Sequence, residues 1–97
     1  MQASSKIVAR KQELKKIQDC KEIQMQLQDD SCAMVTEIDF SHNKIADLSV
    51  LEPFQNLSQL IIDYNHIKNL NSLPSFPKLK VLSISYNQLG DTQNILS

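Results

Sequence analysis

Glycine is nearly absent from this chain: the 97 residues include one, Gly90. A glycine-rich loop that cradles phosphate therefore cannot be built from its motifs. Cysteine is scarce too. Cys20 and Cys32, with eleven residues between them, form no paired framework. That disfavours a disulfide-stapled module and makes reduced thiols in a cytoplasmic protein the expectation, with nuclear or ciliary placement as alternatives. No run approaches the roughly 18 apolar residues needed to span a bilayer. The opening MQASSKIVARKQELKK also lacks the apolar core of a secretory signal. Charge of one sign is missing as well. Ten Lys/Arg against eleven Asp/Glu leave a net charge of −1, which gives no overall attraction to nucleic acid or an anionic membrane. The six basic residues before Met34 are nearly offset by five acids, so that stretch is not a basic arm.

Catalytic and metal spacings are equally thin. His42 and His66 stand in no H-x-x-x-H or Cys/His ligand pattern. A Cys32–His42 nucleophile pair or an Asp39–Asp63 acid/base pair would have no supporting motif. The expectation is a single non-enzymatic domain that needs no cofactor and no metal.

What the chain does contain is repetition. At a spacing of 22, three segments fall into register: VTEIDFSHNKI from Val35, LSQLIIDYNHI from Leu57 and LKVLSISYNQL from Leu79. Their apolar columns are Val35/Leu57/Leu79, Ile38/Leu60/Leu82, Phe40/Ile62/Ile84 and Ile45/Ile67/Leu89. Asn43, Asn65 and Asn87 form one invariant polar column. Alternation within TEIDF, SQLII and KVLSI predicts short strands, parallel because long return segments join them. The Asn amides are expected as a structural ladder, each both donating and accepting at the sharp turn after a strand. Leu48, Leu51 and Phe54 recur as Leu70, Leu73 and Phe76. Their spacing of three, with Pro53, Pro74 and Pro77 nearby, predicts 3₁₀ turns and extended pieces. The third copy looks unfinished: Thr92 replaces the expected leucine and the chain reaches Ser97 after Ile95. A truncated form, or an open end packed on another chain, is expected.

These segments resemble the 22-residue, intracellular class of leucine-rich repeats. That class includes phosphatase-1 regulatory subunits, the A′ subunit of a spliceosomal ribonucleoprotein, acidic leucine-rich nuclear phosphoproteins and axonemal leucine-rich proteins. LSQLIIDYNHI and VLSISYNQLGD look like stretches of leucine-rich melanocyte differentiation-associated and related ciliary proteins. The resemblance covers about residues 33 to 95. It implies an α/β fold, a leucine-rich-repeat solenoid coiling to the right with a parallel sheet on its concave face. It also implies a non-catalytic module that binds another protein, as an adaptor or regulatory subunit, on that face.

The domain reading is a disordered start over 1–5, an amphipathic capping helix over 6–30, and repeats at 35–56, 57–78 and 79–97. The helix rests on the lack of Pro and Gly from Lys6 to Gln28, with Leu14, Ile17, Ile23 and Leu27 laid over the first repeat. A partner-binding or dimerising role for that helix stays open.

Mapping the implied ligand surface onto this chain gives Glu37, Asp39 and Ser41; Gln59, Ile61 and Asp63; and Val81, Ser83 and Ser85. His42, Tyr64 and Tyr86 stand beside the Asn column. Acids beside Ile61 and Tyr64 suggest a partner segment with basic and apolar residues. They disfavour direct nucleic-acid contact, which needs Lys or Arg on that face. The alternative function is self-assembly, a homodimer formed through the open third repeat or the N-terminal helix.

Overall fold

The computed structural model describes residues 6–89. The expectations for the disordered start at 1–5 and for Gly90 to Ser97, with Thr92 and Ile95, lie outside the described residues. Four strands form one sheet: β1 (Lys6–Val8), β2 (Glu37–Asp39), β3 (Gln59–Ile61) and β4 (Val81–Ser83). All neighbours pair in parallel and in chain order, so each turn of chain comprises a strand and its return. Ile7, Ile38, Leu60 and Leu82 lie in one register row. Their side chains and those two residues on (Ala9, Phe40, Ile62, Ile84) face the interior, as alternation along a strand requires.

After each strand the backbone takes a left-handed step, at Lys11 (φ 56), His42 (φ 62), Tyr64 (φ 58) and Tyr86 (φ 57), with a second after β1 at Glu13 (φ 55). Each of the first three donates its N–H to a carbonyl of the following turn: Lys11 to Ser41 at 3.2 Å, His42 to Asp63 and Tyr64 to Ser85 at 2.9 Å. At the last three corners the next residue is an asparagine that ties the corner to its neighbours. Asn65 Nδ2 donates to the carbonyls of Phe40, Ile62 and Asp63, and its Oδ1 accepts from the Ile45 N–H at 3.0 Å. Asn43 and Asn87 make the corresponding bonds one turn to either side.

The return segments start with an Asx turn. The Asp47 carboxylate accepts the Ser49 N–H at 3.0 Å and the Ser49 hydroxyl at 3.1 Å. These bonds hold its pKa below the ordinary value. Asn69 repeats the motif on the Asn71 N–H at 2.9 Å. A 3₁₀ turn follows Asp47 at Ser49–Leu51, driving Leu48, Leu51 and Phe54 into the core. Each such side chain contributes about 1.5–3 kcal/mol by leaving water. The inward residues of the last described turn, Leu79, Leu82 and Ile84, are only partly buried.

The capping helix expected over 6–30 is corrected by the structure. Only α1 (Lys21–Gln28) is α-helical, whereas Lys6–Val8 is a strand and Ile17–Asp19 a 3₁₀ turn. Helix propensity loses here to tertiary pairing. Ile7 and Ala9 alternate inward while β1 docks on β2, and both are buried in the same core as the repeats. The spacing of three through Leu14, Ile17, Cys20 and Ile23 suits a 3₁₀ turn joined to a short helix better than one continuous helix. Within α1, Ile23 is fully buried whereas Leu27 is exposed. Residues 6–30 are therefore a further turn of the stack, with a return nine residues longer than the others, since Ile7 meets Ile38 at a separation of 31 rather than 22.

Candidate functional site

The outward side chains of the sheet form rows across the strands: Lys6, Glu37, Gln59 and Val81, then Val8, Asp39, Ile61 and Ser83. Ser41, Asp63 and Ser85 come next, followed by the left-handed column. Of the residues expected on this face, Asp39 (7% exposed) and Ser41 (8%) are buried by their own hydrogen bonds and neighbours. Glu37, Gln59, Ile61, Asp63 and Ser83 are half-buried, while His42, Tyr64, Val81, Ser85 and Tyr86 are exposed.

The acids on this face are engaged within the chain. Asp39 accepts from Arg10 Nε at 2.9 Å and from the Ser41 N–H and hydroxyl at 3.0 and 2.8 Å. Asp63 accepts from the Ser83 hydroxyl and the Ser85 N–H, both at 2.7 Å. Asp39 and Asp63 thus belong to separate networks. Glu37 lies 3.9 Å from the Lys6 ammonium. A basic partner would have to displace Arg10 or Lys6 to reach Asp39 or Glu37.

The rings behave differently. His42 and Tyr64 stack with centroids 4.2 Å apart and planes at 11°, and Tyr64 and Tyr86 stack at 4.4 Å and 5°. The shared left-handed corner places each ring above the next one, at the strand spacing. Tyr86 is 72% exposed and Tyr64 45%, so the stack is a ledge open to solvent. Covering by its neighbours and contact with Tyr86 push the Tyr64 phenol above its ordinary pKa.

The two thiols sit elsewhere. Cys20 and Cys32 are buried in the core, where loss of water raises both pKa values. The Cys20 thiol donates to Glu22 Oε1 at 3.3 Å. Cys32 is therefore a poor nucleophile, and His42 is occupied by its ring contact with Tyr64. Among the described residues no group of three or more His, Cys, Asp or Glu side chains is placed to hold a metal ion.

Sequence reasoning missed four residues at this face: Lys6, Val8, Arg10 and Lys11. The signal was available at a different offset. KIVARKQEL laid over EIDFSHNKI, 31 residues on, matches Ile7 to Ile38, Ala9 to Phe40 and Leu14 to Ile45, with Gln12 in the Asn place. A search at 22 cannot see it.

The model of the family described as Leucine Rich repeat matches residues 31–51 and 77–92. Those segments carry β2 with its Asn43 corner and β4 with its Asn87 corner. These are leucine-rich repeats. The stretch between the two matches, with β3 and Asn65, repeats the same backbone bonds, and the turn built on β1 stacks before them. Neither a curated protein nor a solved structure matches the chain. Leucine-rich repeats generally mediate protein–protein interaction and are typically non-catalytic. No helix among the described residues is long and apolar enough to cross a membrane.

Proposed function

We propose that this chain is a non-catalytic interaction module, an adaptor or regulatory subunit, that takes a protein segment along the outward face of its sheet. The reading is carried by the exposed ring ledge, with Val81 (45% exposed) and half-buried Ile61 beside it. Tyr contributes rigid area at little entropic cost, and clusters of this kind supply the anchoring residues of interfaces. Because Arg10 and Lys6 already pair with Asp39 and Glu37, the apolar and aromatic side chains of the partner segment carry more of its binding than basic ones. A photo-crosslinking residue placed at Tyr86 should trap a partner that the same residue at Lys68 does not. Tyr86→Ala should then weaken binding of that partner about tenfold or more. Equal trapping at both positions, or unchanged affinity, would remove the assignment.

Self-association through the β4 side is the second reading, favoured by the partly buried Leu79, Leu82 and Ile84. Sedimentation showing one mass at every concentration would dispose of it.

A further inference from the structure

We propose that the groove at the N-terminal edge of the strands is a second binding site, which takes an acidic segment of a protein partner. It holds about 700 Å³ between the approaches to β2, β3 and β4, away from the ring ledge, and does not depend on the outward-face reading. Its walls are joined by backbone hydrogen bonds. The Thr36 carbonyl accepts the N–H groups of Ser58 and Gln59, and the Ser58 carbonyl those of Lys80 and Val81, at 2.8 and 3.1 Å in each case. The neutral polar lining is satisfied within the fold: Asn56 Nδ2 donates to the Ala33 carbonyl at 2.8 Å and the Ser58 hydroxyl to the Thr36 carbonyl at 3.1 Å.

Two charges are left over. Lys78 and Lys80 line the groove, and neither ammonium has a hydrogen-bond or ion-pair partner among the described residues. Among the described residues no carboxylate lines it. Leu79, half-buried between the two lysines in sequence, and Pro77 add apolar surface. The complement is a short segment with carboxylates flanking an apolar side chain. Both lysines are exposed, so the attraction steers an acidic segment and weakens as salt is added.

The test uses a fluorescein-labelled peptide, Glu-Asp-Leu-Asp-Glu, and its anisotropy with the full chain. Binding is expected to weaken about tenfold or more in the double variant Lys78→Glu/Lys80→Glu. The control Lys15→Glu/Lys16→Glu, which makes the same change in net charge from −1 to −5, should leave it within about twofold. Ala33→Phe, which narrows the groove without changing charge, should also weaken binding while the urea midpoint stays in place. No binding by the unaltered chain, equal loss in both double variants, or full binding by Ala33→Phe would each overturn the proposal. So would displacement by RNA that survives Lys78→Glu/Lys80→Glu, which would mark a general polyanion surface.

Discussion

Removing the Asn65 side chain tests how the turns are joined. Its Nδ2 donates to three carbonyls, but each has another donor. Phe40 keeps Asn43 at 2.8 Å, Ile62 keeps Asn87 at 2.9 Å, and Asp63 keeps the His42 N–H at 2.9 Å. The Ile45 N–H, bonded only to Asn65 Oδ1, belongs to a residue that is 0% exposed. Asn65→Ala thus leaves one orphaned buried donor, which costs about 1–3 kcal/mol, and weakens three shared bonds besides. The sum is about 2–4 kcal/mol, a large part of the roughly 5–15 kcal/mol that holds a domain of this kind together. Urea unfolding followed by circular dichroism should show a midpoint about 1–2 M lower at an unchanged slope.

Asn65→Asp separates the two roles of the amide. It keeps the acceptor for Ile45 but turns a negative charge toward three carbonyl oxygens, so at neutral pH it should be worse than alanine and should recover as the pH falls. Asn56→Ala, at an amide that bonds only the Ala33 carbonyl near the surface, should cost less than about 1 kcal/mol. If Asn65→Ala were as mild as Asn56→Ala, the amide column would be an ornament of the turns and not their joint.

Three further outcomes follow from the same geometry. Tyr64→Gly should be more stable than Tyr64→Ala by about 1 kcal/mol in urea titrations, because both lose the ring contacts but only glycine is relieved at φ 58. Ile7→Ala should cost about 2–4 kcal/mol, since Ile7 is buried in the common core; a loss below about 0.5 kcal/mol would mean that β1 does not pack there. Cys20, Cys32 and Tyr64 all have raised pKa values in the folded chain, by burial first. Their stabilising contribution is therefore complete below the ordinary thiol value of 9.0 and falls as the pH climbs through the higher folded values. Chemical unfolding at pH 8 and 10 should show that loss, and Cys20→Ala should show less of it.

The sequence made the 22-spaced part legible because each turn there uses one residue type per job. Asn fills the corner, Ile, Leu or Phe the strand interior, and Leu-x-x-Leu-x-x-Phe the first two returns. It concealed the first turn for two physical reasons. A return nine residues longer breaks the period, and Lys, Gln and Glu favour helix wherever no partner strand is visible. Ile7 becomes a strand residue only because Ile38 lies beside it. The charges on the outward face misled for the same reason. Asp39 reads as exposed until Arg10, 29 residues earlier, is brought to within 2.9 Å. The ring ledge was foreshadowed by His42, Tyr64 and Tyr86 sharing a column, whereas their left-handed backbone carried no glycine to announce it.

The irregular junction is also built differently from the regular ones. All three ion pairs among the described residues cross it: Lys6 with Glu37, Arg10 with Asp39 and Lys44 with Glu13. Partly exposed pairs contribute about 0–1 kcal/mol each, less than the burial of Ile7 and Ile17 alone. Their larger effect is on register. A slip of β1 by one residue would turn Ile7 and Ala9 outward and bring Lys6 and Val8 into the core, and it would separate Arg10 from Asp39 at the same time. The Asn column reaches the first turn as well, through Asn43 and Ala9, but between the 22-spaced turns the stacked rings add a second mark of register, and no ion pair is found there among the described residues. The rings hold the regular turns in line on the same edge that the proposed function assigns to a partner. A bound segment covering Tyr64 and Tyr86 would therefore stabilise the stack that supports it.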